Sequence, residues 1–224
     1  MPVIGLVGGL GIGAAVHFYK ELALRHSAQG RVLELVMVHA DGHRVRGAIE
    51  AGDRDGLVSY LAELIGRLKA AGAEFAVVPA VAPHIAIAEL IAKSPLPIVN
   101  LIEELKREIA SRGVRKVALF GTKYAVESAL FGHLNGIKVA IPNPKEIDFI
   151  HQTYLQVVDS GSGAATQRQA LTELAHTLIK REGVEAIILA GTDLALLFDE
   201  TNTVFPHIDA ARVHLDAILR RALD

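Results

Sequence analysis

The chain has 224 residues, of which 51% are hydrophobic and only 5% aromatic, with a formal net charge of −2 and no cysteine. That length and apolar content allow either one large domain or two small lobes with real cores, and the interspersed charge offers no basic field for nucleic acid or anionic lipid. Without cysteine there are no disulfides, no thiolate metal ligands and no thiol nucleophiles.

The chain opens directly on a strand-like run, "VIGLVG" (3–8). With no basic n-region ahead of it, no targeting segment is expected and the protein reads as cytoplasmic. "GLGIGA" (9–14) then turns from strand to helix and fits the dinucleotide pattern G-x-G-x-x-A. The acid that would hold the ribose, Asp41, lies too far downstream, and the second half of the chain repeats the turn without the fingerprint. The preferred reading is a turn whose backbone amides, Gly9 among them, hold a carboxylate, with no cofactor.

A second strand (33–40) runs into "HADGH" (39–43), whose two histidines and carboxylate are metal-ligand types. No second cluster with ligand spacing accompanies it, so no metal is expected. The stretch reads as a strand-end loop that binds substrate through Arg44 or Arg46. Between Asp53 and Ala71, Leu57, Leu61, Leu64 and Leu68 mark one helix face, stopped by Lys69 and Gly72. The third strand (75–80) ends at Ala80, followed by Val81, Ala82, Pro83 and His84. His84 either caps the helix it begins or serves as a titratable group. Pro79, Pro83, His84 and Glu89 break up the most apolar window, which argues against a membrane span. "SPLPIVN" (94–100) reads as a crossing between lobes, and a helix runs from a capping-box-like Asn100 and Glu103 to Gly113.

In the second half, a strand (116–121) delivers Thr122 and Lys123 to a helix start suited to an anion. After a strand over 137–142, "SGSGAATQ" (160–167) joins two helices. The strand 186–191 ends in Ala190 and Gly191, then Thr192 and Asp193; Asp193 is either an N-cap or an acid/base. A last helix is expected to carry Ile208, Ala211, Leu215 and Ile218 on one stripe. Strand–helix alternation predicts an α/β fold with mainly parallel sheets flanked by helices. Two features recur at a nearly constant offset: a strand ending in glycine (Gly8, Gly121) and a strand ending in small residues (Ala80, Gly191). The expectation is two pseudo-symmetric lobes, 1–98 with 206–224 and 99–205, with strand ends converging on a cleft.

These stretches resemble the cofactor-independent aspartate/glutamate racemase family along essentially the whole chain. "IGLVGGLGIGAAVHFYKEL" looks like its Gly-Gly-Leu-Gly strand-to-helix entry, "VVPAVAPH" its Pro-Cys-Asn-Thr-Ala-His motif and "LAGTD" its Gly-Cys-Thr-Glu motif. The resemblance places Ala80 and Gly191 where the family has its two catalytic cysteines. Val81 and Ala82 replace the Asn and Thr that hold the substrate carboxylate, and Asp193 replaces Glu; His84 and Thr192 are kept. The family's two-thiol racemisation cannot operate in a chain without cysteine. The expectation is a racemase-superfamily enzyme moving a proton at the α-carbon of a small carboxylate, with Asp193, His84 and Thr192 catalytic. Gly9, Arg44, Ala80, Val81, Ala82, Thr122, Lys123 and Gly191 would line the substrate. The apolar wall of Val81 and Ala82 would raise the Asp193 pKa. A non-catalytic carboxylate-binding paralogue and a decarboxylase or other lyase are the alternatives. A homodimer is expected, with neither nucleic acid nor membrane as partner.

Overall fold

The computed structural model describes residues 1–223. The chain forms two compact units, Met1–Leu101 with the residues from His214 onward, and Ile102–Val213.

Unit 1 carries β1 (Ile4–Gly8), α1 (Ile12–Ala28), β2 (Leu35–His39), α2 (Gly42–Glu50), α3 (Arg54–Ala70), β3 (Phe75–Val77) and α4 (Ile87–Lys93). Its sheet has the order β2-β1-β3, with both pairings parallel. Parallel neighbours need crossovers, which α1 and α2–α3 supply. The apolar stripe read from the sequence is the buried face of α3: Leu57, Leu61, Leu64 and Leu68 are each at most 1% exposed and pack with Val7, Ala76 and Val78. Burying a leucine contributes roughly 2 kcal/mol, so four on one stripe fix which face of α3 meets the sheet. Arg25 of α1 pairs with Asp216 at 2.7 Å, tying α1 to the chain's final helix.

Unit 2 begins within α5 (Leu101–Ser111) and continues through β4 (Lys116–Gly121), α6 (Lys123–Glu127), β5 (Lys138–Val139), α7 (Pro144–Ser160), α8 (Ala165–Glu182), β6 (Ala186–Ala190) and β7 (His207–Asp209). The strand order is β5-β4-β6-β7, again all parallel. Its core sets Phe120, Ile187 and Leu189 of the sheet against Ile150, Tyr154 and Val157 of α7 and Leu171, Ala175 and Leu178 of α8. The glycine-rich stretch after Ser160 joins α7 to α8 as read, with Gly161 closing α7 in a left-handed turn (φ 64°).

Three expectations need correction. Residues 206–213 were assigned to the first lobe, but they belong to unit 2, because His207, Ile208 and Asp209 pair with Ile187, Ile188 and Leu189. Ile208 is therefore a strand residue, and the last helix, α9 (Ala210–Leu223), starts after it. The strand expected over 137–142 shrinks to two residues, with Pro142, which has no N–H to give a ladder, just beyond. The stretch after Ala40 is a helix start and not a loop. Asp41 Oδ1 accepts the backbone N–H groups of His43 (2.9 Å) and Arg44 (3.1 Å), so α2 begins under a side-chain cap.

Candidate functional site

Both sheets are wholly parallel, so in each unit every strand delivers its C-terminal end to the same edge. In unit 1 that edge holds the β1 turn, the end of β2 and the residues after β3. Gly9 has φ +83°, and a Cβ there would lie 2.3 Å from the Ala40 carbonyl oxygen and 2.8 Å from the His39 ring. Only glycine fits this turn. Asp41 is committed to capping α2, and its own N–H donates to the Tyr60 hydroxyl at 2.7 Å. A carboxylate used this way is spent for a ribose, which leaves the glycine pattern without its acidic partner.

After β3 the chain passes Val78, Pro79 and Ala80 and enters a 3₁₀ turn, Ala82–Ala86. His84 lies in this turn, 1% exposed, with Nδ1 2.8 Å from the Ala80 carbonyl oxygen. A carbonyl only accepts, so Nδ1 carries the hydrogen and the lone pair of neutral His84 is on Nε2. The residue that caps the turn is Val81, through its backbone, so His84 is not the cap. Val81 is 3% exposed and packs inward.

Sequence reasoning missed His214. It is buried in unit 1 with its Nε2 donating to the Val99 carbonyl (3.0 Å), while its Nδ1 is buried without a hydrogen-bond partner. Its ring stands 6.1 Å from His84 and 5.7 Å from Phe18, nearly perpendicular to both. Burial, reinforced by the charge of His84, holds its pKa down to about 3. The residue is fixed as a neutral imidazole.

Arg44 stacks its guanidinium over the Tyr60 ring, 4.1 Å from the centroid. It borders a cavity of about 270 Å³ between α2 and α3, with Val45, Asp53 and Leu57 among its walls. Among the described residues, no group of three His, Cys, Asp or Glu side chains is placed to hold a metal ion.

In unit 2 the corresponding edge holds the ends of β4 and β6. Thr122 is the N-cap of α6, its Oγ1 accepting from the Ala125 N–H at 3.3 Å. That leaves the hydroxyl hydrogen to donate elsewhere. The Lys123 N–H points at His151 Nδ1 (3.4 Å), and the Lys123 ammonium lies 5.3 Å from the Tyr124 ring centroid. After β6, Gly191, Thr192 and Asp193 enter a second 3₁₀ turn, Thr192–Leu196. Gly191 is the N-cap of this turn, so Asp193 is not. Thr192 and Asp193 are buried, 0% and 2% exposed.

Gly191 has an extended backbone (φ −157°, ψ 119°), open to any residue. Glycine is required for space: a Cβ would lie 2.4 Å from Tyr154 Cε2 and 2.7 Å from Tyr154 Cζ. Tyr154 and, one turn earlier, His151 are the residues the sequence reading missed in unit 2. The available signal was two polar rings among the buried residues of α7, beside Ile147, Ile150, Thr153 and Val157.

In each unit, buried polar and titratable side chains lie beyond the C-terminal ends of parallel strands, the edge at which α/β sheets take their ligands. The chain belongs to the Asp/Glu/hydantoin racemase family, matching it over residues 7–218. Among solved structures, it is similar to a candidate Asp/Glu racemase of Yersinia pestis, with 25% identity, TM-score 0.84 and all of both chains covered. An aspartate racemase homologue of Pyrococcus horikoshii matches at 24% identity and TM-score 0.82, also over all of both chains. The aspartate racemase of Picrophilus torridus matches at 21% identity and TM-score 0.78, over 99% of this chain and 94% of that one. Among the described residues, no helix is long and apolar enough to cross a membrane.

Proposed function

We propose that the protein catalyses cofactor-independent proton transfer at the α-carbon of a small amino or dicarboxylic acid. Family membership supports the reaction class, and the observation that carries the reading is the fixed tautomer of buried His84. With Nδ1–H donated to Ala80, Nε2 is the basic atom offered by unit 1. It takes the α-proton, and the C–H electron pair passes into the carboxyl group as an enolate-like charge. Asp193 is the acid/base that supplies the proton returned to the carbon. Thr192, the spare hydroxyl hydrogen of Thr122 and backbone amides at Gly9 and Gly191 stabilise the charge. Lys123, Ala80, Val81 and Ala82 complete the proposed surround, and Arg44 serves a distal carboxylate from its seat on Tyr60.

The test is proton NMR in D₂O with alanine, aspartate, glutamate, succinate and malate. Loss of the α-proton signal at a rate proportional to protein concentration is the expected result. No exchange with any of the five overturns the reading in favour of a carboxylate-binding protein. We also propose that the protein works as a homodimer, checked by light scattering against the 23.9 kDa chain mass.

A further inference from the structure

We propose that Tyr154 supplies, at the end of β6, the reactive side chain that Gly191 lacks, its phenol being the proton carrier on that side of the substrate. This rests on the α-proton-transfer reading above.

Three observations lead to it. The extended backbone at Gly191 does not call for glycine, so the absence of a side chain there has a steric cause. That cause is one aromatic edge, and Cζ, the atom bearing the hydroxyl, lies 2.7 Å from where the missing Cβ would be. Tyr154 thus brings a functional side chain to the place a residue at 191 would otherwise fill, from a helix 37 residues upstream in the chain. Finally, α7 addresses both strand ends of its unit with polar rings. His151 Nδ1 faces the Lys123 N–H after β4, and Tyr154, one turn on, meets Gly191 after β6. A helix that served only packing would keep its buried stripe apolar at both positions.

The chemistry balances without any co-reactant. In the donating direction the phenolic O–H breaks, its proton bonds to the α-carbon using the enolate electron pair, and a phenolate is left. In the reverse direction the phenolate takes the α-proton, the C–H pair returns to the enolate, and the phenol is restored. In D₂O the carrier is O–D, and each return delivers deuterium.

The experiment compares wild type, Tyr154→Phe and Tyr19→Phe in D₂O, using the enantiomers of aspartate and glutamate as probes. Circular dichroism and thermal unfolding confirm that each variant is folded; Tyr19 is 51% exposed on α1 and serves as control. The expected result is wild-type exchange, unchanged in Tyr19→Phe and lowered on the order of 10²-fold in folded Tyr154→Phe. Incorporating a fluorinated, more acidic tyrosine at 154 then moves the alkaline limb of the rate profile to lower pH, which a packing role would not do. If wild type and Tyr154→Phe exchange equally, the assignment of Tyr154 is overturned while the proton-transfer reading stands. If wild type exchanges none of the four probes and none of alanine, succinate and malate, the reading and this assignment fall together.

Discussion

The imidazoles of His84 and His214 stand 6.1 Å apart and nearly perpendicular inside unit 1, each with one ring nitrogen 3.0 Å or less from a backbone carbonyl. The two hydrogen bonds fix opposite tautomers. His84 carries its hydrogen on Nδ1 and His214 on Nε2. A charge on His84 disfavours a second one on His214.

A pH dependence of stability follows. The folded pKa of His214 is about 3, against an ordinary 6.5. Between those values the unfolded chain binds a proton that the folded chain refuses, so stability falls as pH drops through this window and is flat in this group above it. The steepest slope is ~1.4 kcal/mol per pH unit. Urea unfolding between pH 7 and 4 should show the decline, and His214→Phe should flatten it. His17, also lowered by burial, leaves a smaller remainder. An undiminished slope in His214→Phe would refute the assignment.

Removing the basic nitrogen of His84 should abolish most exchange. His84→Asn keeps a short N–H donor in place of the ring but no basic nitrogen, and the α-proton exchange rate is expected to fall by about 10²–10⁴-fold. Asp193→Asn should fall by a similar factor in the same NMR assay.

Two glycines should respond with opposite signs. Gly191→Ala sets a methyl against the Tyr154 ring and should cost about 1–3 kcal/mol or more. Gly66→Ala, in mid α3 with nothing within 4 Å of the added carbon, should stabilise by about 0.5–1 kcal/mol. Denaturant midpoints decide both. Combining Gly191→Ala with Tyr154→Ala should cost less than the two single changes added together. By the same geometry, a cysteine at 191 requires a smaller residue at 154.

Asp41→Ala removes the acceptor for two N–H groups at the start of α2. A loss of about 1 kcal/mol is expected from thermal unfolding. NADH-dependent fluorescence transfer should be absent in wild type and variant alike, since in wild type the carboxylate caps a helix.

Much of the architecture was legible because it rests on local period. The leucines of α3 are buried, and so are residues 4–8, 117–121 and 186–191 of the runs read as strands. Local pattern failed where neighbours decide. Ile208 suits a helix stripe as well as a strand, and only its pairing with Ile188 settles it. Asp41-Gly42 looks like a loop until the carboxylate is seen turning back on two N–H groups. At the site, the oddity of Gly191 was visible in the sequence, but its cause was not. Tyr154 is distant in the chain, and no spacing rule links a helix residue to the end of the next strand.

The division of the chain also orders its synthesis. Unit 2 is a single uninterrupted segment, whereas unit 1 needs the residues from His214 onward, and His214 itself fills the space beside Phe18 and His84. On the ribosome, all of unit 2 is made while unit 1 still has a gap in its interior where the final helix belongs. Unit 1 closes last although it is begun first, by contacts more than a hundred residues apart in the chain, a separation that slows folding. Until α9 docks, the unit 1 core stays open to water and to chaperones.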